Sequence, residues 1–188
     1  MLATPWDFHA VEADGARALA GLLPFLEPLM GPLTGLGGRL PIDAIQTLFA
    51  MLDPWGIGAK YAGFGRVDQD SERARQFVAI EDWLNDGVPL AAAVARECIG
   101  GWYGANTPAQ GMWRVAGEVV DPRRLRLPAF VAVPGRDRIV PPESARPLAD
   151  LIVGAVLHTP AAGHVGMVAG ERAERVLWRP LSDWIAAL

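Results

Sequence analysis

The run from Leu127 to Val133 constrains what this chain can fold into more than any other feature. It is apolar at every position, then turns through Pro134-Gly135-Arg136-Asp137 and resumes with Ile139-Val140-Pro141-Pro142. A half-buried strand alternates and an amphipathic helix repeats about every 3.6 residues, whereas a parallel strand covered on both faces is apolar throughout. The run is therefore expected to hold a buried parallel strand, Phe130 to Val133, whose C-terminal end carries Asp137 into a tight loop. Parallel neighbours need crossover connections, so helices must cover the sheet. The chain falls in the α/β class.

A second short run, Ala155 to His158, leads to a loop in which His164 stands between Gly163 and Gly166, 27 residues after Asp137. A strand, a crossover helix and the next strand take about 30 residues, and parallel strands bring their C-terminal loops to one edge. Asp137 and His164 can therefore converge. A carboxylate that fixes the tautomer of an imidazole is the acid–base half of a catalytic triad. The residues alone also allow a turn aspartate and a merely polar histidine. The glycines, which let the backbone bend tightly around His164, favour the catalytic reading. His158, inside a strand, and His9, after an apolar start, are weaker candidates, and three scattered histidines do not suggest a metal site.

The nucleophile is the missing part. A nucleophile elbow needs Gly-x-Ser-x-Gly or its cysteine variant between a strand and a helix, and the 188 residues contain neither. Ser71 and Ser182 lie in polar helical contexts, and Ser144 is placed to cap a helix in which Pro147 falls in the first turn. Cys98, the single cysteine, sits within a helical pattern and reads as a small buried core residue. Asp7 stands just past an expected first strand, Met1 to Thr4, where it can line the site or cap a turn.

Composition narrows the partners. A net charge of -4 argues against nucleic acid. Arg123, Arg124 and Arg126, the densest basic group, read as a solvated turn. Hydrophobic residues make up 51% of the chain, yet no apolar run reaches the ~18 residues of a membrane span. No basic segment precedes an apolar one at the start, so a cytoplasmic chain is expected. Gly35/Gly37, Gly56/Gly58 and Gly63/Gly65 continue into no dinucleotide or phosphate-loop fingerprint and read as turns, so no cofactor is expected.

Residues 10–117 differ in texture from the rest. Proline and glycine punctuate helical stripes at Ala16-Leu19-Ala20-Leu23, at Ile42-Ile45-Leu48-Phe49-Leu52 behind Pro41, at residues 70–84, and from Pro89 to Gly100. No strand alternation stands out there. After residue 118, helices are expected over the segment led by Ser144 and over Glu171–Trp178. A further packing face follows Pro180, made of Leu181, Trp184, Ile185 and Leu188. Trp102, Trp113, Trp178 and Trp184 read as core or contact aromatics.

Several segments together resemble the C-terminal part of a polyhydroxyalkanoate synthase-type α/β-hydrolase. They are Ala3-Thr4-Pro5-Trp6-Asp7-Phe8, Phe77-Val78-Ala79-Ile80-Glu81-Asp82-Trp83, Val120-Asp121-Pro122, Gly135-Arg136-Asp137-Arg138-Ile139-Val140-Pro141, Gly163-His164-Val165-Gly166, and Leu177-Trp178-Arg179-Pro180-Leu181 with Trp184. The resemblance implies a truncated α/β-hydrolase fold of about three parallel strands with flanking helices. Residues 1–9 and 118–188 would form the core, and residues 10–117 a large helical cap insertion.

By the same resemblance Asp137 is the triad acid and His164 the general base. The family's cysteine elbow, a serine elbow in related hydrolases, would lie on the strand before the first one here. A coenzyme A thioester and a polyester are the implied substrates. A missing N-terminal half or a second copy is the implied partner, and polyester granules are the implied location. Three readings stay open: part of an acyltransferase, inactive alone; part of a serine esterase or depolymerase; or a non-catalytic granule-binding protein.

Overall fold

The computed structural model describes residues 1–10, 21, 38–50 and 54–188. The first helical stripe, the Gly35/Gly37 pair and the side chains of Leu48, Phe49 and Leu52 lie outside the described residues. In chain order the elements are β1 (Arg39–Leu40), α1 (Ile42–Ala50), α2 (Pro54–Phe64), α3 (Glu72–Asn85), β2 (Leu90–Ala91) and α4 (Ala92–Arg96). Helix α4 widens into a π-helical segment, Glu97–Gly104. Then follow β3 (Arg114–Val115), β4 (Glu118–Val119), β5 (Phe130–Ala132), α5 (Pro142–Leu151), β6 (Val156–His158) and α6 (His164–Ala169). A second π-helical segment, Glu174–Trp178, leads into α7 (Arg179–Ala186). The fold is mixed α/β.

Strand β5 lies at the centre of the parallel part. It pairs with β6 through Phe130↔Val156, Val131↔Leu157 and Ala132↔His158, and on its other side a parallel bridge joins Leu2 to Ala132. The Ala3 amide donates to the Ala132 carbonyl, and the Ala132 amide to the Met1 carbonyl. Period-two alternation then sorts the core into two layers. Ala129, Val131 and Val133 pack with Trp6 against Ala145, Leu148, Ala149 and Ile152 on one face. Phe130 and Ala132 pack with Ala3 against Met167 and Leu177 on the other, with Leu181 and Trp184 beside them. Both faces are covered from Ala129 to Val133, which is why that stretch carries no polar position, while Leu127 ahead of it is 72% exposed.

Other expectations need correction. Helix α5 begins at Pro142, so Ser144 is not its N-cap and Pro147 lies inside the helix. The backbone carbonyl of Ser144 instead accepts from the Trp6 and Asp7 amides and anchors the first chain segment to α5. Strands do occur before residue 118: β1 and β2 form a short antiparallel clamp, and β3 pairs with β4. Two-residue strands leave too little alternation to be read. Gly56, Gly58 and Gly63 lie within helix α2 and not in turns. That helix is held against α3 by the Tyr61 and Phe64 rings on Phe77 and by Lys60 on Glu81, so packing outweighs its poor propensity. In α3, Val78 and Trp83 are exposed, and so are Trp178, Ile185 and Leu188 near the C-terminus, where the sequence suggested a packing face.

Residues 1–9 are tied to the segment after α4. Buried Asn106 accepts from the Phe8 amide (2.9 Å) and donates to Asp7 Oδ1 (2.8 Å), and Asp7 Oδ1 also accepts from the His9 amide. Trp6 and Phe8 meet the Trp113, Trp102 and Tyr103 rings at the same place. Asn106→Ala strips the Phe8 amide of its buried acceptor and puts an alanine at φ 52°. A loss of about 2 kcal/mol is expected in urea unfolding. A loss below about 0.5 kcal/mol would show that the tie is dispensable.

Candidate active site

Paired extension beyond the strands builds the site. The Val133 amide donates to the His158 carbonyl, the Gly135 amide to Pro160 and the Arg136 amide to Ala162. The two chain segments thus stay in step past the ends of β5 and β6, up to Asp137 and Gly163. Gly163 caps α6, and His164 is that helix's first residue. A Cβ at Gly163 would lie 3.6 Å from the Arg136 carbonyl oxygen, so the two loops run side by side.

Asp137 and His164 are brought together. His164 Nδ1 and Asp137 Oδ2 are 2.8 Å apart. The carboxylate is wholly buried, and its other oxygen accepts from the Ile139 and Val140 amides, both at 2.9 Å. Those two donors lock the Asp137 rotamer and leave Oδ2 for the imidazole. A carboxylate there is served best by a protonated Nδ1, which leaves the Nε2 lone pair for a reacting group. The His164 ring is 34% exposed, so a reacting group can reach it.

The other histidines are spent on structure. His9 Nε2 contacts the Tyr103 carbonyl at 2.8 Å and His158 Nε2 the Val176 carbonyl at 2.6 Å. Asp7 serves the Asn106 tie. Arg123 pairs with Asp121 in an exposed turn.

His164 borders two cavities. One, of about 520 Å³, runs from Ala3, Ile139 and Val140 to Leu40, Ile42, Ile45, Gly87, Val88 and Leu90, with Cys98, Trp102 and Tyr103 along its wall. The other, of about 530 Å³, lies between α3 (Gln76, Ile80, Trp83) and helix α6 (Val165, Met167, Val168, Ala169) with Trp178. The cavity wall is what sequence reasoning missed, since β1, β2 and the π-helical segment that build it leave no periodic signature. Cys98 belongs to that wall and is half-buried, not part of the core. Burial, with the Glu97 carboxylate beside it, pushes its thiol pKa up. Such a thiol stays protonated at neutral pH, the opposite of an activated nucleophile.

No protein-family model matches the chain. Curated relatives do, all of them poly(3-hydroxyalkanoate) polymerase subunits PhaC. The protein from Haloferax mediterranei is 29% identical over 157 residues, covering 82% of this chain and 32% of its own length. That from Haloarcula marismortui is 25% identical over 150 residues, covering 78% and 32%. That from Allochromatium vinosum is 24% identical over 152 residues, covering 79% and 42%. The chain is polyhydroxyalkanoate synthase-like and corresponds to a C-terminal-type portion of such proteins. It spans about a third to two fifths of the length of the curated relatives it matches.

Proposed function

We propose that this chain supplies the acid–base half of an acyl-transfer site in an α/β-hydrolase-type fold, in which residues 1–9 and 118–188 are the core and residues 10–117 the cap. The observation that carries the reading is the 2.8 Å contact between His164 Nδ1 and the doubly anchored, buried Asp137 carboxylate. Its position past the ends of adjacent parallel strands, beside an apolar cavity, adds support.

The product is a polyester, as the relatives' name states for them, and the substrate is the acyl thioester of coenzyme A that the family resemblance of the sequence implies. His164 Nε2 takes the proton of a cysteine thiol presented by a Gly-x-Cys-x-Gly turn that the 188 residues do not contain. The thiolate attacks the thioester carbonyl, and the departing coenzyme A thiolate recovers that proton from His164. The imidazole next deprotonates a chain-end hydroxyl, which attacks the acyl-enzyme and returns the enzyme thiol. Asp137 stabilises the imidazolium in each step. Among the described residues no helix is long and apolar enough to cross a membrane; association with cytoplasmic polyester granules is part of the proposal.

The test compares the chain alone with the chain mixed with a polypeptide carrying a synthase cysteine turn. The assay is coenzyme A release from 3-hydroxybutyryl- and 3-hydroxyoctanoyl-coenzyme A. Alone, no turnover is expected. In the mixture turnover appears, disappears with His164→Ala, and survives Cys98→Ser. Turnover by the chain alone that Cys98→Ser removes would make Cys98 the nucleophile and overturn the reading. No turnover in either arm, with retention on polyester granules, would favour the non-catalytic reading. A serine turn that restores p-nitrophenyl ester hydrolysis where the cysteine turn fails would favour the esterase.

A further inference from the structure

The apolar cavity beside His164 is walled, on the side away from the sheet, by two short segments that meet where the Ile42 side chain lies on the backbone of Gly87. Strands β1 and β2 pair in the register Leu40↔Leu90, and continuing that register sets Ile42 opposite Val88, next to Gly87. All of these residues line the cavity. A Cβ at Gly87 would overlap Ile42 Cδ1 and sit 3.0 Å from Cγ1, so the isoleucine lies directly on the glycine backbone.

The contact is held from behind. Gln46, one turn along α1 from Ile42, donates to Asn85 Oδ1 at 3.0 Å and reaches the Leu84 carbonyl, which ties α1 to the end of α3 just before Gly87. Gly87 is exposed and Val88 is 77% exposed, so among the described residues the wall between cavity and solvent is one residue thick there. Leu40, by contrast, is 1% exposed and closes the inner side of the clamp.

We infer that the Ile42–Gly87 contact is a gate that sets the length of acyl chain the cavity holds, and that this chain is longer than butyryl. The inference rests on the acyl-transfer reading in taking the occupant to be an acyl chain. Its length follows from volume: the cavity offers about 520 Å³, and at roughly 30 Å³ for a water-sized group four carbons fill only a small part of it. The lining is aliphatic and aromatic almost throughout, so each further methylene raises affinity until the chain meets Ile42. Beyond that point a methylene must displace Ile42 from Gly87 or fold back, and the gain stops.

Binding tests this on the full chain without any turnover. The probes are butyryl-, hexanoyl-, octanoyl-, decanoyl- and dodecanoyl-coenzyme A, followed by the fluorescence of the tryptophans, of which Trp102 borders the cavity. Affinity is expected to rise about fourfold per methylene from butyryl upward and then level off. Ile42→Ala should move the plateau to longer chains, and Ile42→Phe to shorter ones. Gly87→Ala, which forces Ile42 off the backbone, should also move it; it serves if an Ile42 variant loses its cooperative melt.

A plateau at the same length in wild type and all folded variants would overturn the gate, while the acyl-transfer reading stands on its turnover assay. A plateau already at butyryl would overturn the length assignment. Binding that ignores length altogether, or no binding, would remove the cavity as an acyl site whatever the turnover assay shows.

Discussion

Asp137→Asn should lower the acyl-transfer rate of the chain, assayed with its cysteine turn supplied, by about 10⁴-fold, the order for a triad acid replaced by its amide. The size follows from the hydrogen bonds, not from lost charge alone. Oδ1 accepts from two backbone amides, Ile139 and Val140, in a buried turn. The asparagine oxygen must take that place, since an NH₂ there would face two donors. Its NH₂ is then turned toward His164 Nδ1, which must become an acceptor. The imidazole proton moves to Nε2, and the lone pair that should receive the thiol proton is gone.

The variant should fold normally, because the shape and the two amide bonds survive. Asp137→Ala should instead also lose stability, since it strips both amides of their acceptor. An asparagine variant that keeps more than about a tenth of the wild-type rate would show that Asp137 holds the turn and does not set the tautomer.

How much of this was legible depended on segment length and on what each side chain does. The strand within the Leu127–Val133 run was readable because both faces of Ala129–Val133 are buried. The Asp137–His164 pair was readable because paired chain segments carry the register of β5 and β6 into the loops, so sequence spacing translates into proximity. Ser144 misled because a serine ahead of an apolar stripe looks like a cap, while its backbone carbonyl was wanted by the first chain segment. Gly56, Gly58 and Gly63 misled because helix α2 is stabilised by ring contacts to Phe77 and not by its own residues. Cys98 was misplaced for a related reason: a π-helical widening turns residues off the face that a 3.6 period assigns. The cavity wall, made of two-residue strands, has no period to read.

The largest stability effect should come from Phe130→Ala, at about 3–5 kcal/mol, a sizeable share of the roughly 5–15 kcal/mol a domain has in total. Phe130 is 5% exposed and sits on the central strand, paired on one side with Val156. Its ring meets His158 at 5.4 Å and Trp184 at 5.5 Å, and shares its layer with Met167 and Leu177. A cavity there cannot collapse easily, because it is bounded by the sheet on one side and by α6 and α7 on the other. Phe130→Leu refills most of the space and should cost less than half as much.

The consequence reaches the site. Phe130 is seven residues before Asp137, and α6, which begins with His164, packs through Met167 on the same layer. Loosening that layer therefore disturbs both partners of the hydrogen bond together. Urea unfolding gives the stability loss. Turnover of the Phe130→Ala variant with its cysteine turn supplied, measured well below its unfolding midpoint, should fall as well. A variant that unfolds early yet keeps full turnover while folded would mean that the paired loops hold the site independently of the layer beneath it.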